Sequence, residues 1–242
     1  MERHCAPSYE RGECLTSWDD WADMCYRYKK RWITYLTRLY GASFIREYGF
    51  PARVMCRTPE QLYNQIGYHC RVRNLDAFIS VNAYRAEKMD VARRDGVSPD
   101  YNTCIYTRLF LDFDGNTDKG LTLENAHNDA LIVMDTLRSE NAKMELRFSG
   151  SKGFAVELLF PCDVGIERIK QLIARAQRPS LDRVTNHAQI YRIPYTLHPK
   201  TLLQCIPISV FWSLDRILDE ARRYKPPPVL MPGRCQNADK NQ

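Results

Sequence analysis

Residues 104–115 read CIYTRLFLDFDG, a hydrophobic run that ends in two aspartates, Asp112 and Asp114. On a β-strand, side chains two residues apart point to the same face, with Cα atoms roughly 7 Å apart. Two carboxylates on one face repel each other unless a cation lies between them, and Mg²⁺ or Mn²⁺ prefers oxygen ligands that it shares with substrate phosphates. The motif therefore predicts a strand end that holds a metal–phosphate complex. The alternative is a strand end with two solvated acids.

The composition is that of a globular protein. The chain has 242 residues, of which 44% are hydrophobic and 26% charged, and its net charge is +6. This charge permits binding to a polyanion without establishing it. The N-terminal residues MERHC are polar and no apolar run approaches about 18 residues, so we expect neither a signal peptide nor a membrane span. An intracellular location, in the cytoplasm or nucleoid, is expected.

The nine cysteines are odd in number and contain no CxxC pair, which argues against a disulfide framework. His69 and Cys70 could form a zinc site with Cys56, but the spacing is not diagnostic, and the sequence argues against zinc. Core thiols are predicted at three positions in apolar surroundings: Cys25, Cys104 and Cys205.

Hydrophobic periodicity predicts alternating helices and strands along the chain. A first helix should begin at Ser17 with Asp20 and end near Gly41. Residues 86–102 are interpreted as a mobile connection, and residues 225–242, Pro-rich and then polar, as a flexible tail. Further helices are predicted after Thr58, after Thr122, over 166–176 and after Ser213, and extended segments or strands over 46–57, 77–84, 144–160 (a hairpin), 189–196 and 203–211.

Three segments carry the sequence's most specific signal: LDFDG at 111–115, RFSGSKGFAVELLF at 147–160 and LDRVTNHAQIYRIPYTLHPKT at 181–201. Their order and content resemble the archaeo-eukaryotic primase superfamily, which includes primase small subunits and primase-polymerases. The resemblance spans roughly residues 44–210. It implies an α/β (α+β) fold in which an N-terminal helical and α/β part, with its helical portion at about 1–75, packs on an RRM-like catalytic sheet. The catalytic domain would then span residues 1–224.

This resemblance implies a DNA-directed nucleotidyltransferase, a DNA primase or polymerase. Asp112 and Asp114, with Asp182 as the third carboxylate, would hold two Mg²⁺ or Mn²⁺ ions. Nucleoside triphosphates would be added to a primer or a first nucleotide on a single-stranded DNA template. A helicase or accessory subunit could bind through the C-terminal tail. The alternative for Asp182 is a helix cap after Pro179 and Ser180.

A glycine-rich turn and three basic residues are predicted to bind the nucleotide. Backbone N–H groups, hydroxyls and an ammonium of the turn could cradle phosphates, although an ordinary Gly-Ser turn is the alternative. By resemblance, the basic residues Arg192, His198 and Lys200 would meet the triphosphate. The turn residues are Ser149, Gly150, Ser151, Lys152 and Gly153.

Position 155 departs from the family, which has a phosphate-binding histidine there, whereas this chain has Ala155. We expect a histidine restored at this position to strengthen nucleotide binding or turnover by about tenfold, because it would add one hydrogen bond to a phosphate. The alternative is that the pocket is built around a small residue and uses Lys152 or His198 as the donor, so that a histidine would clash. In the first case the chain would be a weakened enzyme. A catalytically weakened nucleotide- or nucleic-acid-binding module on a primase scaffold is therefore an alternative function.

LDFDGNTD also resembles the first motif of haloacid-dehalogenase-type phosphohydrolases, with Asp112 as nucleophile and Asp114 as acid/base. That motif normally lies near the start of its domain, but more than a hundred residues precede it here. The expected later acidic pair is also missing, because Asp19-Asp20 lies upstream. The sequence therefore favours the nucleotidyltransferase.

Overall fold

The computed structural model describes residues 13–14, 23, 25–41, 45–49, 53–73, 76–88, 98–182 and 188–228. The predicted start of the first helix, residues 183–187 of the third segment, and the tail beyond residue 228 lie outside the described residues. The described elements are β1 (Glu13–Cys14), α1 (Lys29–Tyr40), β2 (Arg46–Tyr48), β3 (Val54–Cys56), α2 (Pro59–Arg73), β4 (Phe78–Ser80), β5 (Ala83–Tyr84), β6 (Glu87–Lys88), β7 (Ser98–Pro99), β8 (Cys104–Ile105), β9 (Arg108–Asp114), α3 (Leu123–Thr136), β10 (Lys143–Phe148), β11 (Gly153–Leu159), α4 (Gly165–Arg175), β12 (Ile190–Arg192), β13 (Ile206–Ile208), α5 (Leu214–Arg222) and β14 (Arg223–Tyr224).

The aspartate-bearing strand β9 lies at the edge of a four-stranded antiparallel sheet with the order β13-β10-β11-β9. Residues alternate along β9, so Leu109, Leu111 and Phe113 point to one face, where they form a core with α3, α4 and α5. The other face carries Phe110 and the two aspartates. This sheet is called the acidic sheet below.

A second four-stranded sheet, with the order β12-β4-β2-β3, faces the aspartate side of the acidic sheet. Helices α1 and α2 cover it, and Trp32 and Leu36 of α1 are fully buried in its core. Phe110 of the acidic sheet belongs to the same core, where its ring lies 4.7 Å from that of Tyr191 on β12. Strand β12 therefore brings a late part of the chain into the N-terminal half of the fold. This sheet is called the basic sheet, after Arg192 at its end.

Most predicted elements are present, with shifts that have identifiable causes. The strand predicted over 77–84 is two short strands, because the chain bends after Ser80, where the buried Arg46 guanidinium binds the carbonyls of Ser80 and Val81. The segment 86–102, interpreted as a connection, contains the pair β6–β7 and a 3-10 turn in its described part. The strands predicted over 189–196 and 203–211 shorten to β12 and β13, since a turn follows each.

The predicted helix caps at Thr58, Thr122 and Ser213 are confirmed, each accepting a hydrogen bond from a backbone N–H three residues later. The thiols predicted to be in the core, at Cys25, Cys104 and Cys205, are buried. Among the described helices, none has the length and apolar character needed to cross a membrane.

Candidate functional site

Asp112 and Asp114 lie at the C-terminal end of β9, on the face turned towards the basic sheet. Across the strand pair, Asp112 is opposite Ala155 and Asp114 is opposite Gly153. A Cβ atom added to Gly153 would lie 2.2 Å from Oδ1 of Asp114 and 2.6 Å from the carbonyl oxygen of Phe113. The glycine is therefore required chiefly by the close approach of the Phe113 backbone carbonyl, to which the Asp114 carboxylate adds.

The third predicted carboxylate lies on the other side of the same strand. Leu181 forms an isolated antiparallel bridge with Phe113, and the backbone N–H of Asp182 donates to the carbonyl oxygen of Asp112 at 2.8 Å. On the other side of this bridge, the N–H of Asp114 donates to the carbonyl of Ser180 at 2.9 Å. Asp182 thus lies beside the two aspartates in extended backbone. Its alternative role as a helix cap would depend on residues 183–187, which lie outside the described part of the chain.

The electrostatics of this strand end favour a cation. Burial, the largest cause, and repulsion from Asp114 and Asp182 together raise the pKa of Asp112 from 3.8 to about 7. The ammonium of Lys152 lies 2.7 Å from Oδ2 of Asp114 and supplies part of the missing positive charge. Within the described residues, no three His, Cys, Asp or Glu side chains converge into a ready-made metal cage. The donor set is nevertheless all carboxylate oxygen, which suits Mg²⁺ or Mn²⁺.

The glycine-rich turn between β10 and β11 is held in a fixed shape. Gly150 has a φ of +84°, and a Cβ atom there would lie 2.7 Å from the carbonyl oxygen of Leu203. The Ser149 hydroxyl accepts from the N–H groups of Ser151 and Gly153, at 3.4 and 3.3 Å. These contacts close the loop, while the side chain of Lys152 remains exposed at its tip. The turn can therefore present its lysine to an anion.

Arg192 faces this turn from the end of β12. Its guanidinium forms an ion pair with Asp76 and lies 5.0 Å from the ring centroid of Phe78. The ion pair and the stacking contact fix the plane of the Arg192 guanidinium. The side chain is therefore held in one orientation where it lines the cavity.

His198 lines the same cavity as Arg192. Burial and the neighbouring Arg192 lower the pKa of His198 below 6.5, so the ring is neutral near pH 7. Its Nδ1 accepts from the backbone N–H groups of Lys200 and Thr201, both at 3.3 Å, which assigns the proton to Nε2. Lys200 itself is exposed and does not line the cavity.

A cavity of about 220 Å³ lies between the two sheets and brings most of the predicted site together. Asp112, Asp114, Lys152, Arg192 and His198 line it. Ser149 and Ser151 of the turn do so too. Asp182 instead lines a smaller recess of about 100 Å³ on the far side of Asp114.

The cavity is also lined by three residues that the sequence interpretation did not include, Phe110, Arg147 and Tyr191, and by Ala155, the position that departs from the family. Phe110 precedes Asp112 by two residues and Arg147 precedes Ser149 by two residues, so strand periodicity places each on the face of its neighbour. This periodicity could have identified them, had it been extended from the motifs along β9 and β10.

The chain is similar to a known protein in its fold and not in its sequence. The sequence matches no protein-family model and no curated protein. Its fold is similar to a solved polymerase. That structure is the polymerase domain from Mycobacterium tuberculosis Ligase D in complex with DNA, with a TM-score of 0.51 and 13% sequence identity. The match covers 81% of this chain and 82% of that domain, so the likeness extends over both sheets and not over a local motif.

Proposed function

We propose that this protein is a metal-dependent nucleotidyltransferase of the primase-polymerase type. The observation that carries the proposal is the cavity between the two sheets, where carboxylates of β9 face Lys152, Arg192 and His198. A phosphate chain bridged to the carboxylates by cations would neutralise both sets of charges. The fold likeness to a polymerase domain supports this function over the phosphohydrolase alternative.

In the proposed reaction, Asp112, Asp114 and Asp182 would hold two Mg²⁺ or Mn²⁺ ions. Such ions stabilise the attacking 3′-oxygen and the leaving pyrophosphate of nucleotidyl transfer. Ionised Asp112 is required for this role, and its raised pKa falls when a cation lies beside it, since an opposite charge favours the charged form.

The basic side chains orient the triphosphate in this proposal. Lys152, whose ammonium is already held at the site by Asp114, would donate to a phosphate oxygen. Arg192 donates from the opposite wall, and His198 donates from Nε2. Lys200, exposed outside the cavity, would contribute long-range attraction.

A template-directed extension assay tests the function. The full chain is incubated with a single-stranded DNA template, with and without a primer, and with ribo- or deoxynucleoside triphosphates in Mg²⁺ or Mn²⁺. We expect incorporation that EDTA abolishes and that Asp112→Asn lacks. If the wild-type chain incorporates nothing in either metal yet still binds single-stranded DNA, the non-catalytic module on a primase scaffold is the correct alternative.

A further inference from the structure

Arg147 is a buried cation with a donor that its protein partners do not satisfy. The residue is 1% exposed. Its Nε donates to Glu145 at 2.6 Å and its Nη2 donates to Glu157. Among the described residues, its Nη1 has no hydrogen-bond partner. A buried N–H group left unpaired destabilises the fold, so binding of an acceptor at this atom would be favourable.

Arg147 borders the cavity that is proposed to hold the nucleotide. Across three adjacent strands, Asp112, Ala155 and Arg147 are paired side by side on one face. Because the middle residue is an alanine, no long side chain separates the guanidinium from the carboxylates. Neighbouring strands are about 4.8 Å apart, so Arg147 lies roughly 10 Å from Asp112 along the sheet, within reach of a ligand the size of a triphosphate.

The charge of the guanidinium favours an anion as the partner of this donor. Arg147 shares the Glu157 carboxylate with Arg108, since Arg108 pairs with one oxygen of Glu157 and Arg147 with the other. A hydrogen bond from a charged donor to an anionic oxygen is stronger than one to a neutral acceptor. An anionic oxygen at Nη1 would therefore satisfy the donor better than a neutral one.

We propose that Arg147 is a phosphate-binding residue of this site, whose Nη1 donates to an anionic oxygen of the bound triphosphate through the space that Ala155 leaves open. The inference rests on the proposed function, because it assigns the anion to the nucleotide substrate. The turn supports this assignment: Ser149 lies two residues beyond Arg147 on the same strand face, about 7 Å away, so one phosphate chain can contact both.

Binding measurements with two probes test this assignment. The affinity of the full chain for inorganic tripolyphosphate and for each of the four deoxynucleoside triphosphates is measured by calorimetry with Mg²⁺. Arg147→Lys keeps the charge and removes the forked donor, so we expect about tenfold weaker binding of both probes, equal for all four bases. Arg108→Lys is the matched control, because Arg108 pairs with the same Glu157 but does not line this cavity, and it should change the affinity by less than twofold.

A second variant addresses the case in which Arg147→Lys fails to fold. Ala155→Leu leaves the ion pairs of Arg147 in place and fills the space in front of its Nη1, and we expect it to weaken both probes to a similar extent. Wild-type affinity for tripolyphosphate in either variant would overturn the role of Arg147 and leave the proposed function standing. A loss confined to nucleoside triphosphates would also overturn it, since Arg147 would then contact the base or sugar. If the wild-type chain bound neither probe, the proposed function itself would fail.

Discussion

Lys152 donates a hydrogen bond to Asp114 at 2.7 Å, so a residue predicted to bind phosphate is paired with a residue predicted to bind metal. The contact raises the pKa of Lys152, which keeps the ammonium charged. It also places a positive charge where the carboxylates of β9 repel each other most. The two predicted roles are therefore linked, because one ammonium–carboxylate pair joins the residues to which they are assigned.

Removing Lys152 should weaken nucleotide binding more than template binding. We expect Lys152→Ala to raise KM for the nucleotide about tenfold, because one charge-assisted hydrogen bond to phosphate is lost. The affinity for single-stranded DNA, measured by fluorescence anisotropy, should remain nearly unchanged. Lys143→Ala is the control, since Lys143 is exposed at the opposite end of β10. An equal loss of DNA affinity in Lys152→Ala would place the lysine on the template path instead.

The three carboxylates should act as one unit. Asp112→Asn, Asp114→Asn and Asp182→Asn should each reduce incorporation by at least about 100-fold while the thermal midpoint changes little, because each removes a ligand of the shared cations. Asp118→Asn, which neutralises an exposed acid in the following 3-10 turn, is the control. Near wild-type incorporation by the Asp182 variant would show that this residue serves as a cap.

The raised pKa of Asp112 predicts a pH dependence of stability in the metal-free protein. Because its folded pKa of about 7 lies above the ordinary 3.8, the folded state favours the protonated carboxyl. Ionisation therefore destabilises the fold progressively from pH 4 to 7, and the penalty is constant above pH 7. With allowance for solvent near this half-buried group, the penalty is on the order of 1–2 kcal/mol.

Urea denaturation of the wild type and Asp112→Asn in EDTA, at pH values from 4.5 to 8, measures this contribution. The variant should gain stability relative to the wild type as the pH rises, and saturating Mg²⁺ should remove much of the difference. A free-energy difference between the two proteins that is constant with pH would contradict the assigned titration.

The close approach at Gly153 predicts that even one methyl group is not tolerated. Gly153→Ala places a Cβ atom within 2.2 Å of the Asp114 carboxylate, so the strands or the carboxylate must shift. We expect a loss of stability of about 1–3 kcal/mol together with a loss of incorporation. Gly67→Ala, in helix α2 with nothing within 4 Å of the added atom, should be neutral or stabilising in the same thermal measurement. Equal effects of the two substitutions would refute this packing argument.

Glu157 should be among the most sensitive positions for folding. It is 0% exposed and is shared by the guanidinium groups of Arg108 and Arg147. Glu157→Gln leaves both buried cations poorly compensated, and a loss of about 3–5 kcal/mol is expected in urea denaturation. Glu167→Gln, at an exposed position in α4, should stay within about 0.5 kcal/mol of the wild type.

The sequence predicted the parts of the site that depend on local periodicity. Asp112 and Asp114 share a face because strand side chains alternate, and the caps at Thr122 and Ser213 follow from local hydrogen bonding. The cluster around Glu157 could not be predicted in this way, because its members lie on different strands and meet through long-range pairing. The position of β12 in the basic sheet could not be predicted either, because it depends on long-range pairing with β4.

Ala155 shows how pairing changes the interpretation of a single residue. From the sequence alone, the small side chain indicates either a pocket that has lost a phosphate-binding histidine or a pocket built around a small residue. Ala155 lies between Asp112 and Arg147, so the second alternative, contrary to the expectation from the sequence, follows if Arg147 binds the triphosphate as proposed. Ala155→His is then expected to lower nucleotide affinity, since the ring would occupy the space in front of Arg147.

The insertion of β12 into the basic sheet has a consequence for dissecting the protein. Helix α1 is bound to β12 by a hydrogen bond of 2.8 Å between the hydroxyls of Tyr40 and Tyr191, and Arg192 is oriented by its pair with Asp76. A fragment that began at the first motif would retain the acids and the glycine-rich turn, yet it would lose the partners that hold β12 and orient Arg192. We therefore expect a fragment with the proposed activity to require the elements from α1 to Asp76, although none of the three motifs lies within them.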